Sequence, residues 1–318
     1  MKILFLMDPA RAIQIKTDTT FVLMLASQER NHEIWMAEPG RLFVEQGEAA
    51  VAARRVSVTR QTKWCRILNE SSIPLSSFDL IWMRKDPPYN LNYIFATHLL
   101  DLVSEKVMIV NHPAGLRDTN EKLSILHFPQ LIPRTLITSD VTQVVSFLRE
   151  NGGKAVVKPL DRAGGEGLFF LNFEDRNLKH IVAEMTEEGN RPVLVQEFLS
   201  EVIEKGDKRL LVLDGEPIGA LTRLPKEGEW RANLHRGGRG VPASIDAIDR
   251  QICEKIGPYL REKGLYFVGL DIIGGKLTEI NVTSPTCVQE INQLNGVRLE
   301  EKIVAWSETA VAAFSHSH

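Results

Sequence analysis

Cysteine is scarce in this 318-residue sequence. Cys65, Cys253 and Cys287 lie far apart, with no Cys-x-x-Cys pair and no histidine at metal-ligand spacing. A disulfide framework is therefore not indicated, and we expect a reduced, cytoplasmic protein. Long apolar runs are also lacking, which argues against a membrane span. The short run over 2–7 ends at a polar Asp-Pro pair, so it predicts a strand rather than a signal peptide.

No excess of charge of one sign is present either. The chain carries 38 Lys and Arg against 41 Asp and Glu, a net charge of −3. This balance gives no reason to expect nucleic acid or a membrane surface as a partner. The most basic run, 54–66, alternates like the solvent face of a strand, and we weigh that interpretation above a polyanion site.

The first third of the chain alternates between strand and helix patterns. This alternation predicts a parallel α/β sheet, with functional groups where strands end. Arg84 follows one such strand, beside Lys85 and Asp86. The predicted strands are 2–7, 33–38, 78–88 and 107–111, the predicted helices are 19–30 and 91–105, and 41–58 is a predicted hairpin.

The pattern changes after residue 120, where strands are joined largely by glycine turns. This part predicts an α+β fold with antiparallel sheet. The predicted strands are 155–160, 167–172, 192–199, 209–225 (a hairpin) and the hairpin at 269–286, and the predicted helices are 140–150, 176–188, 244–262 and 298–314.

A glycine-rich turn, "KPLDRAGGEGLFF" over 158–170, separates two of these strands. Such a turn can cover a polyphosphate with backbone N–H groups, although a plain hairpin turn is equally compatible with the pattern. It matches neither a P-loop nor a dinucleotide-binding fingerprint. Lys158 favours phosphate, because an unpaired ammonium in an apolar strand would be costly. Lys122 lies in a helical pattern, where a lysine on the surface of a helix is expected, so by itself it does not indicate a ligand.

Two further segments suggest ligand contacts. "VQEFL" over 195–199 ends a strand with groups that suit the edge of an adenine, or it is an ordinary strand terminus. The long polar segment 222–240 contains glycines and four arginines, which favours a lid over an anionic substrate. We expect 226–241 to be mobile, since it shows no apolar anchor. The four arginines are Arg223, Arg231, Arg236 and Arg239.

Three side chains with oxygen ligands interrupt the apolar hairpin at 269–286, namely Asp271, Glu279 and Asn281. Carboxylate and amide oxygens suit Mg²⁺, which would offset their burial. A regular two-residue turn at Gly274-Gly275 would place Asp271 opposite Thr278 and turn it away from Glu279. A shared metal site therefore requires a bulge or a three-residue loop.

Taken together, these motifs resemble the ATP-grasp ligases, and most closely the bacterial glutathione synthetases. The likeness extends over nearly the whole chain, so it implies an ATP-grasp fold with a parallel N-terminal α/β domain (1–120), a central lid domain (121–200) and a C-terminal antiparallel catalytic domain (201–318). The motifs are "MDP" (7–9), "MRKDPP" (83–88), "NEKL" (120–123), "KPLD…GG" (158–165), "GDKR" (206–209), "GGRG" (237–240), "GPYLREKGLYFVGLDIIG" (257–274) and "LTEINVTSPT" (277–286).

The resemblance implies that ATP drives the joining of γ-glutamylcysteine to glycine, with Mg²⁺ or Mn²⁺ held by Asp271, Glu279 and Asn281. It implies small-molecule substrates, no nucleic acid or membrane partner, and a homotetramer. Four arginines are expected to bind substrate carboxylates or steady the phosphoryl group; they are Arg84, Arg209, Arg223 and Arg231. The implied nucleotide contacts are Lys122, Lys158, Gly164, Gly165, Gln196, Glu197, Phe198, Leu199 and Asp207.

One position departs from the family pattern. Arg162 stands in the glycine-rich turn where relatives usually have glycine, so a backbone position free to take a positive φ could be lost, or the guanidinium could reach the phosphates. Two alternatives remain beside glutathione synthesis. They are another ATP-grasp carboxylate–amine ligase, and an ATP-binding regulatory protein without turnover.

Overall fold

Three β-sheets organise the computed structural model, which describes residues 1–162, 164–234 and 237–317. Seven strands form sheet A, in the order β3-β4-β2-β1-β6-β7 with β5 paired to β4. The strands are β1 Lys2–Met7, β2 Glu33–Ala37, β3 Leu42–Glu45, β4 Glu48–Val58, β5 Cys65–Pro74, β6 Leu80–Arg84 and β7 Met108–Val110.

Sheet A is parallel at its centre and antiparallel at one side. β1 pairs in parallel with β2 and β6, as the strand–helix alternation predicted, whereas β4 runs antiparallel to β2, β3 and β5. The predicted hairpin at 41–58 is confirmed as β3–β4. β5 was not predicted, because most of its residues are exposed and polar and give no apolar alternation.

Three helices follow sheet A strands, α1 Thr19–Glu29, α2 Leu91–Asp101 and α3 Pro113–Asp118. Asp18 and Asn90 cap the first two by accepting hydrogen bonds from backbone N–H groups. α1 packs in one apolar cluster with Ile3 and Phe5, and α2 packs in the other with Leu4 and Leu6. Because alternate residues of β1 are covered on both faces, the strand is a continuous apolar run.

Sheet B is antiparallel, in the order β10-β9-β11-β8. Its elements are β8 Thr135–Thr138, α4 Val141–Glu150, β9 Lys154–Pro159, β10 Phe169–Asn172, α5 Leu178–Met185 and β11 Val193–Glu197. Ala155 and Val157 of β9 pack in one apolar cluster with residues of α4 and α5. Val156 and Lys158 therefore lie on the opposite face of the strand, away from these helices.

Sheet C is also antiparallel, in the order β14-β13-β12-β15-β16. Its elements are α6 Glu201–Lys205, β12 Asp207–Leu213, β13 Glu216–Leu224, β14 Arg239–Ala243, α7 Ala247–Glu262, β15 Phe267–Ile273, β16 Lys276–Asn281, α8 Val288–Asn295 and α9 Leu299–Ser317. The antiparallel expectation for this half is thus confirmed. β14 corrects the predicted loop, because Arg239 pairs with Leu224 in the sheet.

The β15–β16 hairpin contains the bulge that a shared metal site required. Gly274 and Gly275, both with positive φ, form a two-residue turn that pairs Ile273 with Lys276. The register then shifts, so Asp271 pairs with Glu279 rather than with Thr278. The prediction of an irregular register is confirmed. Asp271 and Glu279 consequently stand opposite each other on neighbouring strands.

No helix within the described residues is long and apolar enough to cross a membrane.

Candidate active site

An open pocket of about 780 Å³ lies between sheets B and C. Apolar side chains line part of it and charged side chains line the rest, which is the arrangement expected for a nucleotide with a base and a polyphosphate. The lining residues are Lys122, Pro133, Val156, Lys158, Arg162, Gly164, Gly165, Leu168, Gln196, Glu197, Phe198, Leu199, Val202, Asp207, Trp230, Arg231, Ala232, Asn233, Asp271, Ile273, Thr278 and Glu279.

Lys158 lies on the pocket face of β9. Within the described part of the chain, its ammonium makes no hydrogen bond or ion pair with another protein group. Burial lowers the pKa of Lys158, and Lys122 acts in the same direction, while Glu279 works to raise it. A cation held in this way, without a protein counter-ion in contact, is suited to receive an anionic ligand.

Lys122 is only 3% exposed, so it is not a helix-surface lysine. Its ammonium lies 3.1 Å from a carboxylate oxygen of Glu279 and also donates to the carbonyl oxygen of Arg162. Asn120 holds the backbone here by accepting a hydrogen bond from the Lys122 N–H at 3.0 Å. Lys122 thus connects the glycine-rich turn to sheet C.

The glycine-rich turn takes its left-handed backbone at Gly164, Gly165 and Gly167, which have φ values of 63°, 77° and 69°. A Cβ at Gly167 would lie 2.8 Å from Cγ of Pro159, so the turn packs closely on the end of β9. Arg162 is not among the residues with positive φ, and its guanidinium pairs with Glu166 at 2.7 Å. The arginine therefore occupies a position that, in this chain, does not need glycine.

The predicted adenine-contacting residues are the last two of β11 and the two that follow it. Gln196, Glu197, Phe198 and Leu199 all line the pocket. The Gln196 side chain is 2% exposed and donates to Thr135 Oγ1 at 3.1 Å. The four residues therefore border the part of the pocket that also contains Val156, Leu168 and Val202.

Sheet C presents a buried network of alternating charges. Arg209 donates two hydrogen bonds to Asp271, at 2.6 and 3.2 Å. Arg223 lies 3.0 Å from Asp271 and also donates to Asp207. Both arginines are thus committed to carboxylates within the protein, in geometry typical of strong ion pairs.

The two carboxylates of this network have opposite pKa shifts. Burial raises the pKa of Asp207 to about 7, although Arg223 opposes the change. Burial also works to raise the pKa of Asp271, but Arg209 and Arg223 outweigh it and hold the value well below the usual range. Oδ1 of Asp207 is buried and makes no hydrogen bond within the described residues. One oxygen of the network is therefore left for a ligand.

The three predicted metal ligands are only partly brought together. Asp271 and Glu279 pair across the hairpin and line the pocket, whereas Asn281 pairs with Gly269 and donates its amide N–H to the Gly269 carbonyl at 3.2 Å. Among the described residues, no group of three His, Cys, Asp or Glu side chains could hold a metal ion. Two carboxylates fit a divalent cation that arrives with phosphate oxygens, as Mg²⁺ commonly does.

The predicted arginines have different positions. Arg84 is 3% exposed and donates to the Pro285 carbonyl and to Thr20 Oγ1, so it holds the segment after β16 against α1 rather than lining the pocket. Burial lowers its pKa. Arg231 does line the pocket, near Glu229 at 3.7 Å. Arg236 lies outside the described residues.

Glu121 was missed by the sequence analysis although it precedes Lys122 directly. Its Oε1 accepts hydrogen bonds from the Val282 N–H at 2.9 Å and from Thr283 N–H and Oγ1 at 3.1 and 3.0 Å. It thereby fixes the backbone that follows Asn281. The polar "NEKL" motif was an available signal.

Apolar anchors in the segment over 225–234 were also missed. The expectation that it lacks them is wrong, because Trp230 packs against Phe170 and Phe198, and Ala232 is 4% exposed. Leu234 packs against the apolar cluster that contains Leu211 of β12 and Leu221 of β13. The single tryptophan in a polar stretch was the signal.

Two comparisons of structure support the class defined by this fold and site. D-cycloserine synthetase DcsG superposes with a TM-score of 0.67 at 15% identity, covering 98% of this chain and 99% of the other. ATP-grasp ligase PsnB, in a complex with a precursor variant, Mg and ADP, has a TM-score of 0.66 at 17% identity, covering 97% and 98%. At these identities the likeness concerns the fold, which is that of the ATP-grasp ligases.

Sequence relatives are more specific. Family models match the prokaryotic glutathione synthetase N-terminal domain over 1–117 and its ATP-grasp domain over 121–296. A glutathione synthetase from Gloeobacter violaceus is 45% identical over 313 residues, covering 96% of each chain. One from Coxiella burnetii is 44% identical over 315 residues, covering 98% of each. The chain belongs to the prokaryotic glutathione synthetase family, and it is an ATP-dependent carboxylate–amine ligase.

Proposed function

We propose that the pocket between sheets B and C binds ATP with Mg²⁺ and catalyses the ligation of γ-glutamylcysteine to glycine through an acylphosphate. The chain makes glutathione at the expense of ATP, and its family uses a divalent metal. The observation that carries the proposed site is the placement of Lys158, a cation without a protein partner within the described residues, beside the glycine-rich turn and opposite Asp271 and Glu279.

The first step joins the substrate to phosphate. A carboxylate oxygen of γ-glutamylcysteine attacks the γ-phosphorus of ATP, the bond from that phosphorus to the bridging oxygen breaks, and ADP leaves with the electron pair. Lys122 and Lys158 lie where they can neutralise charge on the transferring group. Asp271 and Glu279, with Asn281 adjoining, would hold Mg²⁺, which supplies charge neutralisation at the phosphate oxygens.

The second step forms the peptide bond. The amine of glycine attacks the acylphosphate carbonyl carbon, phosphate leaves, and the nitrogen loses a proton. Arg231 is the proposed partner of a substrate carboxylate. Arg209 and Arg223 hold Asp271 in place, and Arg84 positions the backbone that follows β16. Because water would hydrolyse the acylphosphate, the segment 225–234 is proposed to shield it.

Phosphate release is the direct test. We expect sustained release with ATP, Mg²⁺, γ-glutamylcysteine and glycine together, with one glutathione formed per phosphate, and little release when either amino-acid substrate is omitted. Replacing Mg²⁺ by Mn²⁺ in the same assay tests the choice of metal. Release that does not depend on glycine, with no glutathione formed, would contradict the proposal.

The assembly and organisation are proposed separately. We propose a cytoplasmic homotetramer in which 1–120 contributes to substrate binding, 121–200 covers the nucleotide and 201–318 carries the catalytic carboxylates. Light scattering on a gel-filtration column would test the tetramer, since the chain mass of 35.8 kDa makes a monomer easy to distinguish.

A further inference from the structure

Three aromatic rings from separate parts of the chain meet at the edge of the pocket. Phe170 lies in β10, just after the glycine-rich turn, Phe198 follows β11, and Trp230 belongs to the segment 225–234. The ring centroids of Phe170 and Phe198 are 4.9 Å apart, and Trp230 lies 6.4 Å from the first and 6.2 Å from the second. These separations are those of rings in contact.

Trp230 is the point where this segment becomes attached to the protein. Residues 226–229 are exposed, whereas 230–234 are partly or fully buried. Trp230 lines the nucleotide pocket and also a second opening on the side of Gly167 and Phe169. The indole therefore lies between the pocket and this second opening.

Arg231 depends on the same contact. Its guanidinium lies 5.6 Å from the centre of the Trp230 ring, in the arrangement of a cation–π interaction. Its ion-pair partner within the described residues is Glu229, which is exposed and 3.7 Å away. An exposed pair at this distance positions a side chain weakly. The ring of Trp230 is therefore the firmer support for Arg231.

We propose that Trp230 is a positioning residue that fastens the segment 225–234 across the pocket by packing on Phe170 and Phe198. Because Phe170 follows the glycine-rich turn and Phe198 follows the adenine-side strand, one indole aligns three segments that must come together around the nucleotide. The contact holds Arg231 at the pocket and keeps water from the acylphosphate. This inference rests on the proposed function.

The coupling of ATP use to product tests the inference. Trp230→Ala should release about ten phosphates per glutathione, whereas the unchanged protein releases about one, because the acylphosphate is hydrolysed before glycine attacks. Trp230→Phe keeps an aromatic ring and should stay near one. The matched control is Phe173→Ala. Phe173 follows β10 directly, and its partly exposed ring contacts Arg149 outside the pocket. This variant should also release about one phosphate per glutathione.

Two measurements without turnover examine the contact itself. The chain has five tryptophans, so the fluorescence of the unchanged protein minus that of Trp230→Phe gives the emission of Trp230. This difference should change when Mg-ADP is added. Trypsin should cut after Lys226 at least threefold faster in Trp230→Ala than in the unchanged protein, both with Mg-ADP present. Equal cutting rates would overturn the inference, as would a coupling ratio of one in Trp230→Ala.

The outcomes separate this inference from the proposed function. If the unchanged protein makes no glutathione, the proposed function fails, and the fluorescence and trypsin measurements still decide whether Trp230 fastens the segment. If the unchanged protein and Trp230→Ala both make one glutathione per phosphate, the proposed function stands and only the role of Trp230 is overturned. A thermal midpoint of the ligand-free Trp230→Ala protein close to that of the unchanged protein separates positioning from a loss of folding.

Discussion

The two walls of the pocket differ in whether their charged side chains are paired within the protein. On sheet B, Lys158 is held on a half-buried face without an ion-pair partner within the described residues, beside backbone that only glycine adopts easily. On sheet C, Asp207 and Asp271 are already paired with Arg209 and Arg223. The sheet B wall therefore has a positive charge available to a polyanion, whereas the four charges on the sheet C wall nearly cancel before any ligand binds.

This difference separates binding from stability. A cation without a partner costs free energy in the folded protein, so it is explained by the ligand that it meets. A network of buried charges that pair with one another holds its own members in place, and removing one of them leaves its partners without a counter-charge. Substitutions on sheet B should therefore affect activity more than stability, and those on sheet C should affect both.

Lys158→Ala should have the largest effect on activity. We expect turnover to fall by about 100-fold or more, since one charge that stabilises the transferring phosphoryl group is lost. The thermal midpoint of the ligand-free protein should stay unchanged or rise, because a desolvated ammonium is removed. Lys154→Ala, exposed at the start of the same strand, is the control for both measurements. Turnover near that of the control would remove Lys158 from the phosphate site.

Asp271→Asn should have the largest effect on stability. The change leaves Arg209 without its carboxylate and Arg223 with only Asp207, so the free energy of unfolding should fall by about 3 kcal/mol. Urea unfolding of the ligand-free protein measures this. Glu279→Gln removes a carboxylate whose one ion-pair partner within the described residues is Lys122, so it should cost less. Equal losses in the two variants would show that the network does not carry the stability.

Glu279→Gln should have an intermediate effect, which we expect in the dependence of turnover on Mg²⁺. The variant keeps the shape and removes one charge, so the half-saturating Mg²⁺ concentration for turnover should rise about tenfold. Binding of ADP in EDTA, measured by calorimetry, should change much less. Glu166→Gln, which alters an exposed carboxylate paired with Arg162, is the control and should leave the Mg²⁺ dependence unchanged. A parallel weakening of both measurements would indicate nucleotide contact rather than metal binding.

Asp207→Asn should have the smallest effect, visible in the pH dependence of stability. The pKa of Asp207 is about 7 in the folded protein against an ordinary value of 3.8. As the pH rises from 4 to 7, the unfolded chain therefore ionises first, and the unchanged protein loses stability relative to the variant. We expect the difference between the two to change steadily over this range and to level off above pH 8. A constant difference, in unfolding curves at each pH, would contradict the shift.

The sequence predicted the elements whose signals are local. The apolar run of β1 and the glycines around Gly165 could be recognised from the sequence without any distant partner. Apolar periodicity, and the ease with which glycine takes a positive φ, are properties of those residues themselves. β5 and β14 were missed for the complementary reason. Their side chains are largely polar or exposed, and these strands exist because β4 and β13 supply the backbone hydrogen bonds.

The sequence by itself determined the class of fold, the glycine-rich turn and the chemical types present in the site, because composition, periodicity and motif order are properties of the chain. Only the tertiary structure decided how those types are paired. The bulge at Thr278 turned Glu279 toward Asp271, sheet pairing brought Arg209 and Arg223 onto the same carboxylate, and Trp230 met two rings more than 30 residues away. Each of these results depends on register and packing between distant segments, which side-chain identity alone does not specify.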